Sequence, residues 1–217
     1  MCDAPATTSD HIPPKCIFPE QKDVGVNYRK NLIEVPACKI HNRGTSLDDE
    51  YIMGVLAFHW RNNQAAHKQS VSKIKRAFER NKRYYDLFFG KGKHHFLYLN
   101  GERLITASVD INRVNSIMQK IARGIYYNYF KRKWLKNVNI QHISLVSIYN
   151  QNPGSATVAL MQLTQAISLL CSKNSPHGEN PDIFYYQVVY DNPSAGAIMR
   201  LVFYDSFEVI AILDDIE

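Results

Sequence analysis

Residues 7–18 read TTSDHIPPKCIF, and residues 31–51 read NLIEVPACKIHNRGTSLDDEY. The first is a short extended run that closes on Asp10-His11. Pro13 and Pro14 stop it, because proline donates no ladder hydrogen bond and biases the residue before it toward extended geometry. The second opens on Asn31, runs apolar and strand-like to Cys38, and continues as Cys38-x-x-His41-Asn42. This order predicts two antiparallel strands joined by a loop and followed by a helix. Ser46-Leu-Asp-Asp49 resembles a capping box, with Asp49 and Glu50 suited to the positive end of a helix dipole.

The ordered set of Asp-His, then Asn, then Cys-x-x-His-Asn resembles the HNH endonuclease family, which has the ββα-metal fold. It is most similar to a bacterial subgroup with an N-terminal HNH module, and the similarity covers roughly residues 1–51. The resemblance implies a metal-dependent endonuclease that hydrolyses phosphodiester bonds in DNA. It implies that Asp10 and Asn42 hold one Mg²⁺ or Mn²⁺ ion against the scissile phosphate, since a hard cation takes oxygen ligands and keeps several waters. His11 is then the general base that takes a proton from water, which an unperturbed imidazole does near neutral pH. Asn31 orients that imidazole, through its side chain or the backbone beside it. Lys15 and Arg43 flank the phosphate as nucleic-acid contacts.

Cys38-x-x-His41 also has the spacing of half a structural zinc site. Cys2 lies where the other half would end, so Cys2, Cys38 and His41 form a possible zinc set lacking a visible fourth ligand. Cys16 is a possible substitute. The rival readings are a non-catalytic, zinc-stabilised module that binds nucleic acid or protein, and a nuclease that acts on RNA.

Composition sets the frame. A chain of 217 residues, 45% of them hydrophobic, is long enough to bury a sizeable core. Four scattered cysteines do not make a secreted disulfide scaffold. Neither a signal peptide nor a membrane span is predicted, so the expected setting is cytoplasmic. The net charge of +6 is local. Residues 68–83 (KQSVSKIKRAFERNKR) carry seven basic residues against Glu79, and the rest of the chain is balanced. Such a patch favours polyanions. Lys73, Arg76, Arg80 and Arg83 are the expected phosphate contacts, with a protein partner or a second copy as further possible companions.

The expected fold class is α+β, with an HNH module over residues 1–60 and a larger mixed body over 61–217. Residues 67–89 read as one long basic helix with Val71, Ile74, Phe78, Tyr85 and Phe88 on its apolar stripe. Alternation on both sides of Asn100-Gly101 predicts a hairpin. Asp110 is placed to cap a helix whose Ile111, Val114, Ile117, Met118, Ile121 and Ile125 share one face. Strand 140–149, helix 155–172, strand 183–190 and a hairpin over 199–213 complete the reading. Trp134, in the basic run FKRKWLK, is a candidate for stacking on a base.

Overall fold

A computed structural model describes residues 4–38, 46–99, 101–145 and 154–215, with the backbone alone at 97, 99, 102–104, 155 and 156. The expected first pair of strands is present. β1 (Thr8–His11) runs antiparallel to β2 (Glu34–Ala37), with Asp10 opposite Val35 and His11 opposite Glu34. β1 ends where the prolines begin; Pro13 and Pro14 are buried, and the Ile12–Pro13 peptide is cis. A turn at Lys15–Ile17 and the one-turn helix α1 (Gln21–Val24) lead back to β2. Helix α2 (Ser46–Ala57) follows, buried along every residue from Tyr51 to Ala57. A helix hydrophobic all round belongs in a core.

The basic run is not one helix. α3 (Gln64–Gln69) passes through a π turn (Ser70–Ile74) into α4 (Lys75–Arg80), and α5 (Lys82–Phe89) starts afresh. Asn81 makes the break. Its backbone is extended, and its side chain accepts hydrogen bonds from the Arg83 and Tyr84 amides, which is N-cap geometry. Val71, within the π turn, and Tyr85, after the break, are exposed, and the buried stripe is Ile74, Tyr84 and Phe88.

β3 (His94–Leu99) and β4 (Glu102–Ala107) form the Asn-Gly hairpin, with Gly101 at φ 83°. Helix α6 (Ile111–Phe130) is capped by Asp110, whose carboxylate accepts from the Arg113 amide. Val114, Ile117, Met118, Ile121 and Ile125 are buried as the period requires, while Ile111, in the first turn, is exposed. β5 (Val138–His142) joins a five-stranded antiparallel sheet, and helix α7 (Ser155–Cys171) follows it. The other strands are β6 (His177–Asn180), β7 (Phe184–Val189), β8 (Gly196–Phe203) and β9 (Phe207–Asp214), in the order β5-β9-β8-β7-β6. The last two form the expected hairpin, turning through Tyr204 and Asp205 at positive φ. The chain is thus α+β with antiparallel sheets, and among the described residues no helix is long and apolar enough to cross a membrane.

α6 is the element that positions the N-terminal strands. It packs against β2, α2 and β5, so one helix touches both the first hairpin and the sheet. Buried Gln69 adds a polar tie, its amide donating to the Cys16 and Ile17 carbonyls at 3.1 Å each. One continuous core runs from Ile12 and Val35 through α2 and α6 to Leu213.

Candidate active site

Asp10 and His11 are successive residues of a strand, so their side chains leave opposite faces. The Asp10 carboxylate turns toward α6, where its Oδ2 lies 2.7 Å from Lys120 Nζ. Only 12% of that side chain is exposed. The His11 imidazole turns the other way, with Nε2 3.4 Å from Glu34 Oε1 across the ladder. It is 28% exposed and therefore within reach of solvent. The Ser9 hydroxyl donates to the other Glu34 oxygen at 2.8 Å, which fixes the carboxylate under the imidazole.

Asn31 is exposed, in the left-handed region at φ 51°. Its place is a small hollow shared with Ile12, Pro13, Gly178 and Asn180. Among the described residues no hydrogen bond joins Asn31 to His11; the residue on the imidazole is Glu34. Cys2, His41, Asn42 and Arg43 lie outside the described residues, and Cys38 is buried at the end of β2. Within the described residues, no group of three or more His, Cys, Asp or Glu side chains converges as a metal centre. Cys16, the substitute zinc ligand, is partly buried beside the start of α2. Its thiol donates to the Asp49 carbonyl at 3.0 Å, and burial, with Asp49 nearby, pushes its pKa to about 12.

Asp10 opens into a cleft of about 570 Å³ between β1–β2, the start of α2, and α6 with the turn beyond it. Asp48 and Asp49 line it on one side; Lys120, Arg123, Tyr127 and Lys133 line it on the other. Burial lifts the Asp49 carboxyl to about 6; Lys120 opposes the shift, and the nearby Asp10 charge adds to it. Of the cleft residues named here only Asp10 was expected at the site; Asp49, Lys120 and Arg123 are the additions that matter most for charge. Asp49 read as a helix-start acid. The one available signal for the other two was that Lys120, Arg123, Gly124 and Tyr127 repeat at helical spacing beside the apolar face of α6.

The expected basic surface is partly spent at home. Lys73 is turned inward, its ammonium 3.3 Å from the Cys16 carbonyl and 3.8 Å from Glu20 Oε1. Arg76 pairs with Asp23 at 2.8 Å, and Arg80 Nε donates to the Arg76 carbonyl. Arg83 and Lys15 are exposed. Trp134 is only 4% exposed and donates to the Asn137 carbonyl, so it is a core residue and no stacking platform. No family model, curated protein or solved structure matches the chain.

Proposed function

We propose that the chain is a metal-dependent nuclease of the HNH type, cutting phosphodiester bonds in DNA. The observation that carries the reading is the setting of Asp10-His11. The pair ends a strand that is antiparallel to β2 and followed in sequence by a helix, with the carboxylate in a cleft and the imidazole open to water. The Asp10 carboxylate shares its cleft wall with Asp48 and Asp49, oxygen donors that suit a hard cation, and the Lys120 ammonium now 2.7 Å from Asp10 gives way to a bound ion. Asp10 and Asn42 are the residues that would hold a Mg²⁺ or Mn²⁺ ion. Such an ion, when bound, supplies Lewis acidity at the phosphate and stabilises the leaving oxygen.

His11 takes the proton of a water as that water's oxygen bonds to phosphorus, and the bond from phosphorus to the 3′ oxygen breaks. Glu34 holds the imidazole in place and stabilises it once protonated, as a carboxylate partner does for a general base. The expected result is that purified protein nicks plasmid DNA with Mg²⁺ or Mn²⁺. His11→Ala should lower the rate about 10²–10⁴-fold at an unchanged melting temperature. Protein that is inert on plasmid, single strands and RNA with either ion contradicts the reading. RNA cleaved faster than DNA reassigns the substrate.

A further inference from the structure

The cleft beside Asp10 has walls of opposite sign. The hairpin and the start of α2 contribute Asp10, Asp48 and Asp49; α6 and the turn after it contribute Lys120, Arg123 and Lys133. A volume of about 570 Å³ lies within the range of sites that take small organic ligands, and it is of the order of a nucleotide or two. Arg123 is half-buried, and burial disfavours its charge. One of its nitrogens donates to the Lys136 carbonyl at 3.0 Å, and among the described residues it has no carboxylate partner. A guanidinium has five donors in a planar fork that matches phosphate oxygens, so a half-buried one at a cleft wall suits an anionic ligand. Lys120 bridges the walls. If Asp10 engages a divalent cation, the ammonium at 2.7 Å is repelled, and a phosphate on that same cation then competes with Asp49 for it.

We propose that this cleft grips the backbone of a single nucleic-acid strand, with Arg123 and Lys120 as the phosphate-binding side chains. Lys120 is held by Asp10 until the strand and cation arrive. The inference rests on the nuclease reading and moves the grip away from residues 68–83, where Lys73 and Arg76 already answer Glu20 and Asp23.

The test is binding measured apart from cutting. A short fluorescent single-stranded DNA oligonucleotide is titrated with the full chain in Ca²⁺, and its anisotropy is read at several salt concentrations. Arg123→Ala and Lys120→Ala should each weaken binding about tenfold, and each should lower the salt slope by about one. Lys120→Arg should restore most of the affinity, which a purely structural lysine would not require. In cleavage assays the same variants should raise KM more than they lower kcat. Loss of affinity in an Arg80→Ala/Arg83→Ala double variant, with Arg123→Ala binding as wild type does, overturns the inference. Cleavage by wild type with KM unmoved in the Lys120 and Arg123 variants also overturns it, and leaves the nuclease reading standing. Wild type that binds through Arg123 and Lys120 yet cuts no substrate supports the cleft and removes the nuclease reading.

Discussion

Ile12 lies directly against the bare backbone of Gly124. A Cβ on that glycine would sit 2.6 Å from Ile12 Cγ1 and 3.0 Å from Cγ2. Ile12 follows the Asp-His pair, and Gly124 is four residues, about one helical turn, beyond Lys120. The close approach of strand to helix is therefore what sets the Asp10–Lys120 separation.

Gly124→Ala should push β1 away from α6. Glycine in a helix interior ordinarily costs stability relative to alanine, so on propensity alone the substitution would help. Here the clash is with a side chain 2% exposed, and overpacking of this kind costs about 1–3 kcal/mol. The expected result is a melting temperature lower by about 2–12 °C, at about 2–4 °C per kcal/mol for a chain of this size. Ile12→Ala removes both Cγ atoms, so it should cost less in the Gly124→Ala chain than in wild type. A Gly124→Ala protein as stable as wild type would mean the contact is loose.

Asp49 should make the protein less stable as pH rises. Its carboxyl, half-buried behind Cys16 and Lys120, has its pKa raised to about 6 from 3.8. Between those values the folded chain holds a proton that the unfolded chain has lost, so stability falls as pH climbs through the window. Asp49→Asn should remove that cost. Discounted for partial exposure, it amounts to about 1–2 kcal/mol, or a melting temperature higher by about 2–8 °C at pH 8 and unchanged near pH 3.5. The opposite sign at pH 8 would show that the Asp49 charge is favourable, through Lys120.

What the sequence made legible was local. Gly101 and its flanking alternation gave the β3–β4 hairpin, Asp110 gave the start of α6, and the prolines gave the end of β1, because each acts within a few residues of itself. The break at Asn81 was equally local, but seven cations around it read as a continuous charged face and hid the cap. β6 went unseen because His177-Gly-Glu-Asn180 has no alternation, and Gly178 adopts φ 140° to fit there. The first half of the candidate site, Asp10 and His11 on a strand, follows from their own neighbourhood. Its other wall does not: Lys120 and Arg123 sit more than a hundred positions away on a helix whose pattern records only its buried face. Trp134 shows the same limit, since its basic neighbours suggested a surface that packing against Tyr126 replaces.

His142 should make the acid limb steeper. Its Nε2 lies 2.6 Å from Asn115 Oδ1, its Nδ1 is buried without a partner among the described residues, and burial lowers its pKa to about 4 from 6.5. Below 6.5 the unfolded chain takes a proton that the folded chain refuses, so stability is lost as pH falls toward 4. This runs against the Asp49 effect over much of the same range, and wild type should show a shallow net slope there. His142→Leu should remove about 2 kcal/mol of loss between pH 7 and pH 4, so that its stability rises as pH falls, whereas Asp49→Asn should show a steeper loss than wild type. Denaturant titrations at several pH values read both signs directly.

The Asp10–Lys120 pair should show a coupling that a divalent ion erases. Both side chains are largely buried, so removing one partner leaves the other charge poorly compensated. In a double-mutant cycle of Asp10→Ala and Lys120→Ala, in EDTA, the coupling should be about 1–2 kcal/mol. With Mg²⁺ in excess, wild type should gain stability in proportion to the logarithm of ion concentration. The Lys120→Ala chain should gain more, because its carboxylate has no ammonium to give up. Asp10→Ala should gain nothing. An equal Mg²⁺ response in all three proteins would place the ion away from Asp10, and the pair would then be an ordinary strut between strand and helix.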